Sequence, residues 1–320
     1  MLLLRVEVAD PVWDSEAMEQ KPGLVSGRIY MAATPIGNVD DASPRLLQAL
    51  ATADLIAAED TRRLQNLAGR LGVELKAQVI AFHDHNETQR ATRLLDAAEE
   101  GQTVLVVSDA GTPTVSDPGY HLAKLAAERG VVVSPLPGPS AALAALSVSG
   151  LPTDRFIFEG FLPRKSGQAR HALEQLAQLG RTMIFFESPR RVAKTLKLMA
   201  DVLGPQREVA VCRELTKTYE EVLRGTLAGL AVQLEGDEVR GEITLVVSGQ
   251  GTVSEADTDD AAEAALALAA SEGVRLKEAA AQIAKRRPGL RANTIYREAL
   301  ALKDGSASTG DWVSRWSAPA

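Results

Sequence analysis

Four short segments carry the residue types from which a binding and transfer site is built. They are Thr34-Pro35-Ile36-Gly37-Asn38, Glu59-Asp60-Thr61-Arg62-Arg63, His83-Asp84-His85-Asn86-Glu87, and Asp109-Ala110-Gly111-Thr112-Pro113, which runs on to Ser116-Asp117-Pro118-Gly119. Small residues let a ligand approach the backbone, and Asp109 offers an anionic acceptor for a ribose diol or an ammonium group. Each segment follows an apolar run that reads as a strand, at 28–33, 54–58, 78–82 and 103–108, and a fifth run spans 131–134. Helical stretches separate them. Ser43-Pro44 opens one, Thr61 to Gly72 bounds the next, Asn86 caps the third before Gly101 stops it, and Asp117-Pro118 caps the fourth before Gly130. Strand alternating with helix through short loops predicts a parallel α/β sheet. Such sheets hold ligands at the carboxyl ends of their strands, where all four segments fall.

The segment Pro135-Leu136-Pro137-Gly138-Pro139 predicts a hinge, because three prolines in five residues cannot continue a helix or an inner strand. A second α/β unit follows, with strands expected at 155–159, 182–186, 208–212, 221–224 and 242–248. Helices are expected at 167–179, 189–203 and 226–234. The domain boundaries expected are an irregular extension over 1–26, α/β domains over 27–136 and 137–250, an acidic linker over 251–260, a basic helical hairpin over 261–304 and a tail over 305–320.

The hairpin places eight Lys or Arg and two Glu between Arg275 and Lys303, a local charge of +6 in a chain whose net charge is −7. Lys285, Arg286, Arg287 and Arg291 are therefore expected to meet nucleic acid. Arg164, Lys165, Arg190 and Arg191, in loops of the second α/β unit, are expected to contact phosphate. A solvated basic face is the plain alternative for both groups.

Of the 320 residues, 45% are hydrophobic and 24% charged, an ordinary globular balance of about two domains. The lone thiol, Cys212, cannot form an internal disulfide, which points to a reducing cytoplasm. No apolar run approaches the ~20 residues of a membrane span. No GxGxxG follows the first strand, and Walker A, HExxH and GxSxG are absent from the sequence. His83 and His85 have no Cys or His cluster beside them, so no metal site is expected.

These loops, together with Pro137-Gly138-Pro139-Ser140-Ala141, Phe158 to Lys165, Phe186-Glu187-Ser188-Pro189-Arg190-Arg191, Arg213 to Lys217 and Gly241-Glu242-Ile243, closely resemble the bacterial ribosomal RNA small-subunit methyltransferase I family. The resemblance spans residues 27–249 and the C-terminal helical piece. It implies two α/β domains of the tetrapyrrole-methylase (class III methyltransferase) type with a small C-terminal helical domain. The implied activity is 2′-O-methylation of a cytidine ribose in the decoding region of 16S ribosomal RNA, on naked RNA or the small subunit. It further implies S-adenosylmethionine in the cleft between two domains, and a homodimer. Carried over by position, Pro35, Asp109, Ala110, Gly111, Val115, Ser116, Ser140 and Ala141 would hold the cofactor. Phe161, Leu162, Leu215, Gly241, Glu242 and Ile243 would approach it from the second domain.

A ribose hydroxyl is a weak acid, so its transfer chemistry calls for a proton acceptor within hydrogen-bond reach. Asp60, His83, Asp84, Glu187 and Lys217 stand at strand ends or loops where one could sit, and Glu187, Asp60 and His83 are the catalytic candidates. Asp60 has an alternative as a helix cap, and Glu187 as the partner of Arg190 or Arg191. Two other readings stay open: a same-fold methyltransferase acting on a tetrapyrrole or a modified protein side chain, and a non-catalytic RNA-binding assembly factor.

Overall fold

The computed structural model describes residues 23–236, 238–250, 255–286, 290 and 292–303. Arg287, Arg291, most of the N-terminal extension and the tail over 305–320 lie outside the described residues.

The first unit is a five-stranded parallel sheet. Strands β1 (Arg28–Ala32), β2 (Leu55–Ala58), β3 (Gln78–Ala81), β4 (Thr103–Val107) and β5 (Val132–Leu136) lie in the order β3-β2-β4-β1-β5. Because side chains alternate along a strand, β1 sends Ile29 to one face and Tyr30 and Ala32 to the other. Ile29, Val104 and Val106 pack under α3 (Glu87–Glu99) and α4 (Tyr120–Arg129). Tyr30, Leu105 and Val107 pack under α1 (Pro44–Thr52) and α2 (Thr61–Leu71). With both faces covered, β2 and β4 are buried along their whole length, as continuous apolar runs require.

Ser43 caps α1 through its side chain, and Asp60 caps α2. Gly72 and Gly130 close α2 and α4 in left-handed conformation. Two expected caps are corrected. Asn86 makes no cap bond to α3; its amide instead accepts from His83 N at 2.9 Å and donates to Ala81 O at 3.2 Å. Asp117 does not cap α4 either, since Gly119 is the cap residue and the helix starts at Tyr120.

Pro135 lies within β5, past the expected strand end at residue 134. An outermost strand leaves one side unpaired, so a residue without an N–H fits there. The first unit then extends through Ser140 rather than ending at 136. The reason is contact: a Cβ on Gly138 would sit 3.0 Å from the Ala33 Cβ, and Thr112 Oγ1 donates to Pro139 O at 3.2 Å.

The second unit holds a mixed sheet. Strands β6 (Phe156–Phe161), β7 (Thr182–Glu187), β8 (Glu208–Arg213), β9 (Glu221–Thr226) and β10 (Ile243–Val247) lie in the order β6-β7-β10-β8-β9. Only β6 and β7 run parallel. Met183, Phe185, Val209, Val211, Leu245 and Val247 pack beneath α6 (Ser166–Leu176), α7 (Val192–Leu203) and α8 (Leu227–Gln233). The helix α5 (Ala141–Ser149) reaches the sheet as well, where Ala145 O faces the buried Cys212 thiol. Its sequence, AALAALSVS, is apolar all round and gives no helical period to read.

Three further helices follow, α9 (Glu255–Glu272), α10 (Leu276–Arg286) and α11 (Ala292–Lys303), with Ala261, Ala265, Ala279, Ala280, Ile283 and Ile295 at their core. The linker expected over 251–260 is therefore helical from Glu255, and the hairpin is two arms of a three-helix group. The two arms keep their eight Lys or Arg against two Glu, while α9 adds six Asp or Glu beside them, so residues 255–303 are neutral in total.

Replacing the fully buried Phe185 by Ala is expected to destabilise the second unit by roughly 3–5 kcal/mol. Urea unfolding followed by circular dichroism would show a lowered midpoint, and an unchanged midpoint would mean that the sheet is not held by this core.

Candidate active site

At the carboxyl edge of the first sheet, the loops after β1 and β4 are bonded to each other. Thr34 N donates to Gly111 O at 2.9 Å and Gly111 N returns a bond to Thr34 O at 3.1 Å. Thr34 Oγ1 donates to Ser108 O, and Ser108 Oγ to Gly111 O. Gly111 has φ +86, a conformation that L side chains rarely adopt, so this close exchange needs glycine. Pro35 is buried beside it, Asp109 and Val115 are half-buried, and Ala110 and Ser116 are exposed. The loop after β2 joins the same edge: Asp109 N donates to Glu59 Oε2 at 3.2 Å, Asp60 N to Asp109 Oδ1 at 3.1 Å, and Arg63 pairs with Asp109 Oδ2 at 3.0 Å.

Beyond Gly111 the chain passes through Thr114 and Ser116 at φ 75 and 65, both left-handed without being glycine. Such residues persist where the surroundings over-determine them. Here the surroundings include Glu87, a buried carboxylate on α3 whose Oε1 accepts from Gly119 N at 2.9 Å, His121 N at 2.9 Å and Leu122 N at 3.3 Å. The first N–H groups of a helix have no partner inside it, and a negative charge suits the positive end of its dipole. Glu87 thus performs from another helix the capping expected of Asp117.

Released from capping, Asp117 faces other acids. Burial, then the charge of Glu59, then those of Asp109 and Asp84 push its carboxyl up to about 7, against a hydrogen bond from Ser108 that lowers it. Burial also raises Glu59, with Asp109 and Asp84 adding and the Asp109 N–H and Arg63 opposing. Asp60 moves the other way: the Arg62 and Arg63 N–H groups, bonded at 2.8 and 3.2 Å, hold it below the usual range and make it a poor base. His83 Nε2 lies 3.1 Å from Asn86 Nδ2, while its Nδ1 is buried with no hydrogen-bond partner among the described residues. A field of Glu59, Asp84, Asp109 and Asp117 with Arg63 as counter-charge is suited to a cationic ligand.

The second unit corrects several expectations. Glu187 does not project freely from β7. Its side chain is 1% exposed, Oε1 accepts from Ser188 N at 2.7 Å, and Oε2 accepts from Thr195 Oγ1 at 2.6 Å and pairs with Arg191 at 3.2 Å. Its burial and these three partners fit the reading of Glu187 as a structural ion pair rather than as a base. Arg191, which also donates to Leu162 O at 3.1 Å, is engaged in the same knot. Lys217 bridges Glu214 Oε1 at 2.7 Å and Glu242 Oε2 at 2.9 Å. Although burial opposes it, these two carboxylates hold Lys217 above its usual range, so it keeps its proton.

Gly241, at φ +94, clears this bridge, because a Cβ there would lie 2.4 Å from the Glu214 side chain. Leu162 and Ile243 turn their side chains into the core, leaving only backbone to a ligand, whereas Phe161 is 58% exposed against Phe186. Leu215 is buried, and Ser140 and Ala141 are half-buried. Arg164, Lys165, Arg190, Lys285 and Arg286 are exposed. Glu59, Glu87 and Asp117 were not singled out by sequence reasoning. Asp117 had a signal, its place in the fourth loop, but Glu87 acts on a helix more than thirty residues away and had none.

The family described as Tetrapyrrole (Corrin/Porphyrin) Methylases matches residues 28–231. The chain is 49% identical to the ribosomal RNA small subunit methyltransferase I of Mycobacterium tuberculosis (strain CDC 1551 / Oshkosh), over 85% of this chain and 94% of the relative. It is 45% identical to that of Escherichia coli O157:H7, over 86% and 95%. Among solved structures, the methyltransferase CobJ aligns with TM-score 0.54 at 22% identity over 70% of this chain and 95% of its own. The cobalt precorrin-4 methyltransferase CbiF aligns at 0.51 and 18% identity, over 69% and 95%. At these identities the structural likeness speaks for the fold alone.

Glu87→Ala is expected to free three N–H groups and to cost about 1–3 kcal/mol of local stability, while Glu87→Gln, which keeps an acceptor oxygen, costs less. Hydrogen exchange would show faster amides at Gly119, His121 and Leu122 in the Ala variant. Equal protection in Ala variant and parent would mean that the loop is held by other contacts.

Proposed function

The chain belongs to the ribosomal RNA small subunit methyltransferase I family of tetrapyrrole methylases, and from that membership we propose that it methylates the 2′-hydroxyl of a cytidine in the decoding region of 16S ribosomal RNA. The coarser activity is S-adenosylmethionine-dependent methylation of small-subunit ribosomal RNA. One observation carries it: relatives of that name are 42–49% identical over most of this chain. The cytidine and its 2′ oxygen rest on the loop resemblance. We further propose a homodimer and a cytoplasmic site of action. Among the described residues, no helix is long and apolar enough to cross a membrane.

S-adenosylmethionine would supply an electrophilic methyl group on a sulfonium, which leaves as a neutral thioether. The acid-rich sheet edge fits such a cation, and the Thr34–Gly111 exchange fixes the loops that would hold it. Pro35, Asp109, Ala110, Gly111, Val115, Ser116 and Ser140 are the proposed cofactor residues of the first unit, with Ala141 at the start of the second. Phe161, Leu162, Leu215, Gly241, Glu242 and Ile243 stay in the set, Leu162 and Ile243 through backbone alone. Asp109 is pre-set for a diol, since Asp60 N and Arg63 fix both its oxygens.

The remaining task is to orient the hydroxyl and take its proton. Asp117 is the group we propose for it. Burial, with the charges of Glu59 and Asp109 adding, keeps its proton affinity near the working pH. His83 is the second choice, with Nδ1 still unpartnered.

Mass mapping of ribose methylation in 16S ribosomal RNA, with and without this protein, tests the function. Loss of the mark at a decoding-region cytidine is expected, and an intact methylation map would refute the reading. For the base, kcat/KM is expected to rise with pH through about 7 as Asp117 loses its proton. Asp117→Asn is expected to lower the single-turnover rate by about 10²–10⁴-fold, with cofactor still bound. The raised acid also makes the folded state bind an extra proton between pH 3.8 and about 7, so stability falls as pH rises through that window. The Asn variant should therefore be more stable than the parent at pH 8 and gain little near pH 4. An unchanged rate and pH profile would move the role to His83.

A further inference from the structure

A groove of about 960 Å³ runs along the second unit between α7 and α8, and it differs from the sheet edge in charge. Its floor is apolar, from Ala193, Ala228 and Val239. Along one wall stand Arg190, Lys194 and Lys197, all exposed. Residues three and four apart share one helix face, so the two lysines of α7 point the same way, with Arg190 just before its first turn. Among the described residues, none of the three forms an ion pair. The acids on the groove are largely answered elsewhere: Asp201 pairs with Arg170 at 3.7 Å and Glu238 with Arg240 at 2.7 Å, leaving Glu235 as the unpaired described acid.

We propose that this groove is a track for the sugar–phosphate backbone of the substrate RNA, with Arg190, Lys194 and Lys197 neutralising a run of its phosphates. Three unpaired cations in a row pay a repulsion that a polyanion would relieve. This track would add to the exposed cations Arg164, Lys165, Lys285 and Arg286, whereas Arg191 is paired with Glu187. The proposal rests on the chain being a ribosomal RNA methyltransferase. RNA would cross α7 away from the reacting atoms, so these residues set affinity and register rather than chemistry.

The test uses the full-length protein and a 16S ribosomal RNA transcript, comparing parent, Lys194→Gln/Lys197→Gln and Lys194→Arg/Lys197→Arg. Binding is measured without turnover between about 50 and about 200 mM salt. The Gln pair is expected to flatten the plot of log affinity against log salt by about 1.4, two charges at about 0.7 each for single-stranded RNA. KM for RNA should rise with kcat and S-adenosylmethionine affinity unchanged, and the Arg pair should restore the parent slope. Parallel plots for parent and Gln pair overturn the proposal. So does a defect seen only on assembled small subunits with normal binding to the transcript, which would assign the groove to a protein. Methylation of the transcript by the parent checks the functional reading separately, since the slope comparison needs no catalysis.

Discussion

A carboxylate taken out of water must be met by donors or give up its charge, and Glu87 meets three at the start of α4. That single oxygen ties the second half of the β4 loop to α3. Thr114 and Ser116 can then hold left-handed conformations that a freely tethered loop would relax. The other half of the loop is tied by the backbone exchange between Thr34 and Gly111. The small residues between these anchors keep their backbone accessible because the anchors, rather than local side chains, fix the path.

The same arrangement decides which acid can act. Had Asp117 capped α4, the N–H groups would have held it ionised and unreactive, as those of α2 hold Asp60. With Glu87 in that role, Asp117 is left half-buried near Glu59, and like charges that cannot separate raise its proton affinity. Two aspartates at equivalent loop positions thus diverge in opposite directions, which is how neighbouring groups acquire different proton chemistry. The sheet edge consequently favours a cation.

In the second unit the logic is reversed, and charges are mostly paid off within the fold. Glu187, Arg191 and Thr195 tie the end of β7 to the start of α7, and Lys217 closes Glu214 onto Glu242 beside a glycine that makes room. Breaking a buried pair strands a charge, so such knots persist for geometry more than for net stability. Against that background Arg190, Lys194 and Lys197 stand out because they line one groove without an ion pair among the described residues.

Much was legible from residue order alone. The apolar runs of β2 and β4, the Ser43 and Asp60 caps and the glycine stops of α2 and α4 follow from local propensity, and the motif-bearing loops carried the family. Local pattern reached its limit wherever a residue's partner was distant in sequence. Glu187 looked like a projecting base because nothing at its own position announces Thr195 and Arg191 folding back on it. Asn86 and Asp117 have the chemistry of caps, yet His83 and Ala81 claim the first and Glu87 displaces the second. The helix α5 had no period to read, and the basic hairpin proved to pack with α9, which the acidic composition had disguised as a linker. Sequence determined which groups are present and which loops gather at one sheet edge, because strands that alternate with helices run parallel and so end at the same edge. Only the tertiary structure decided which of those groups are spent on the fold and which are left with unmet charge, because hydrogen-bond saturation and desolvation depend on neighbours brought in from elsewhere in the chain.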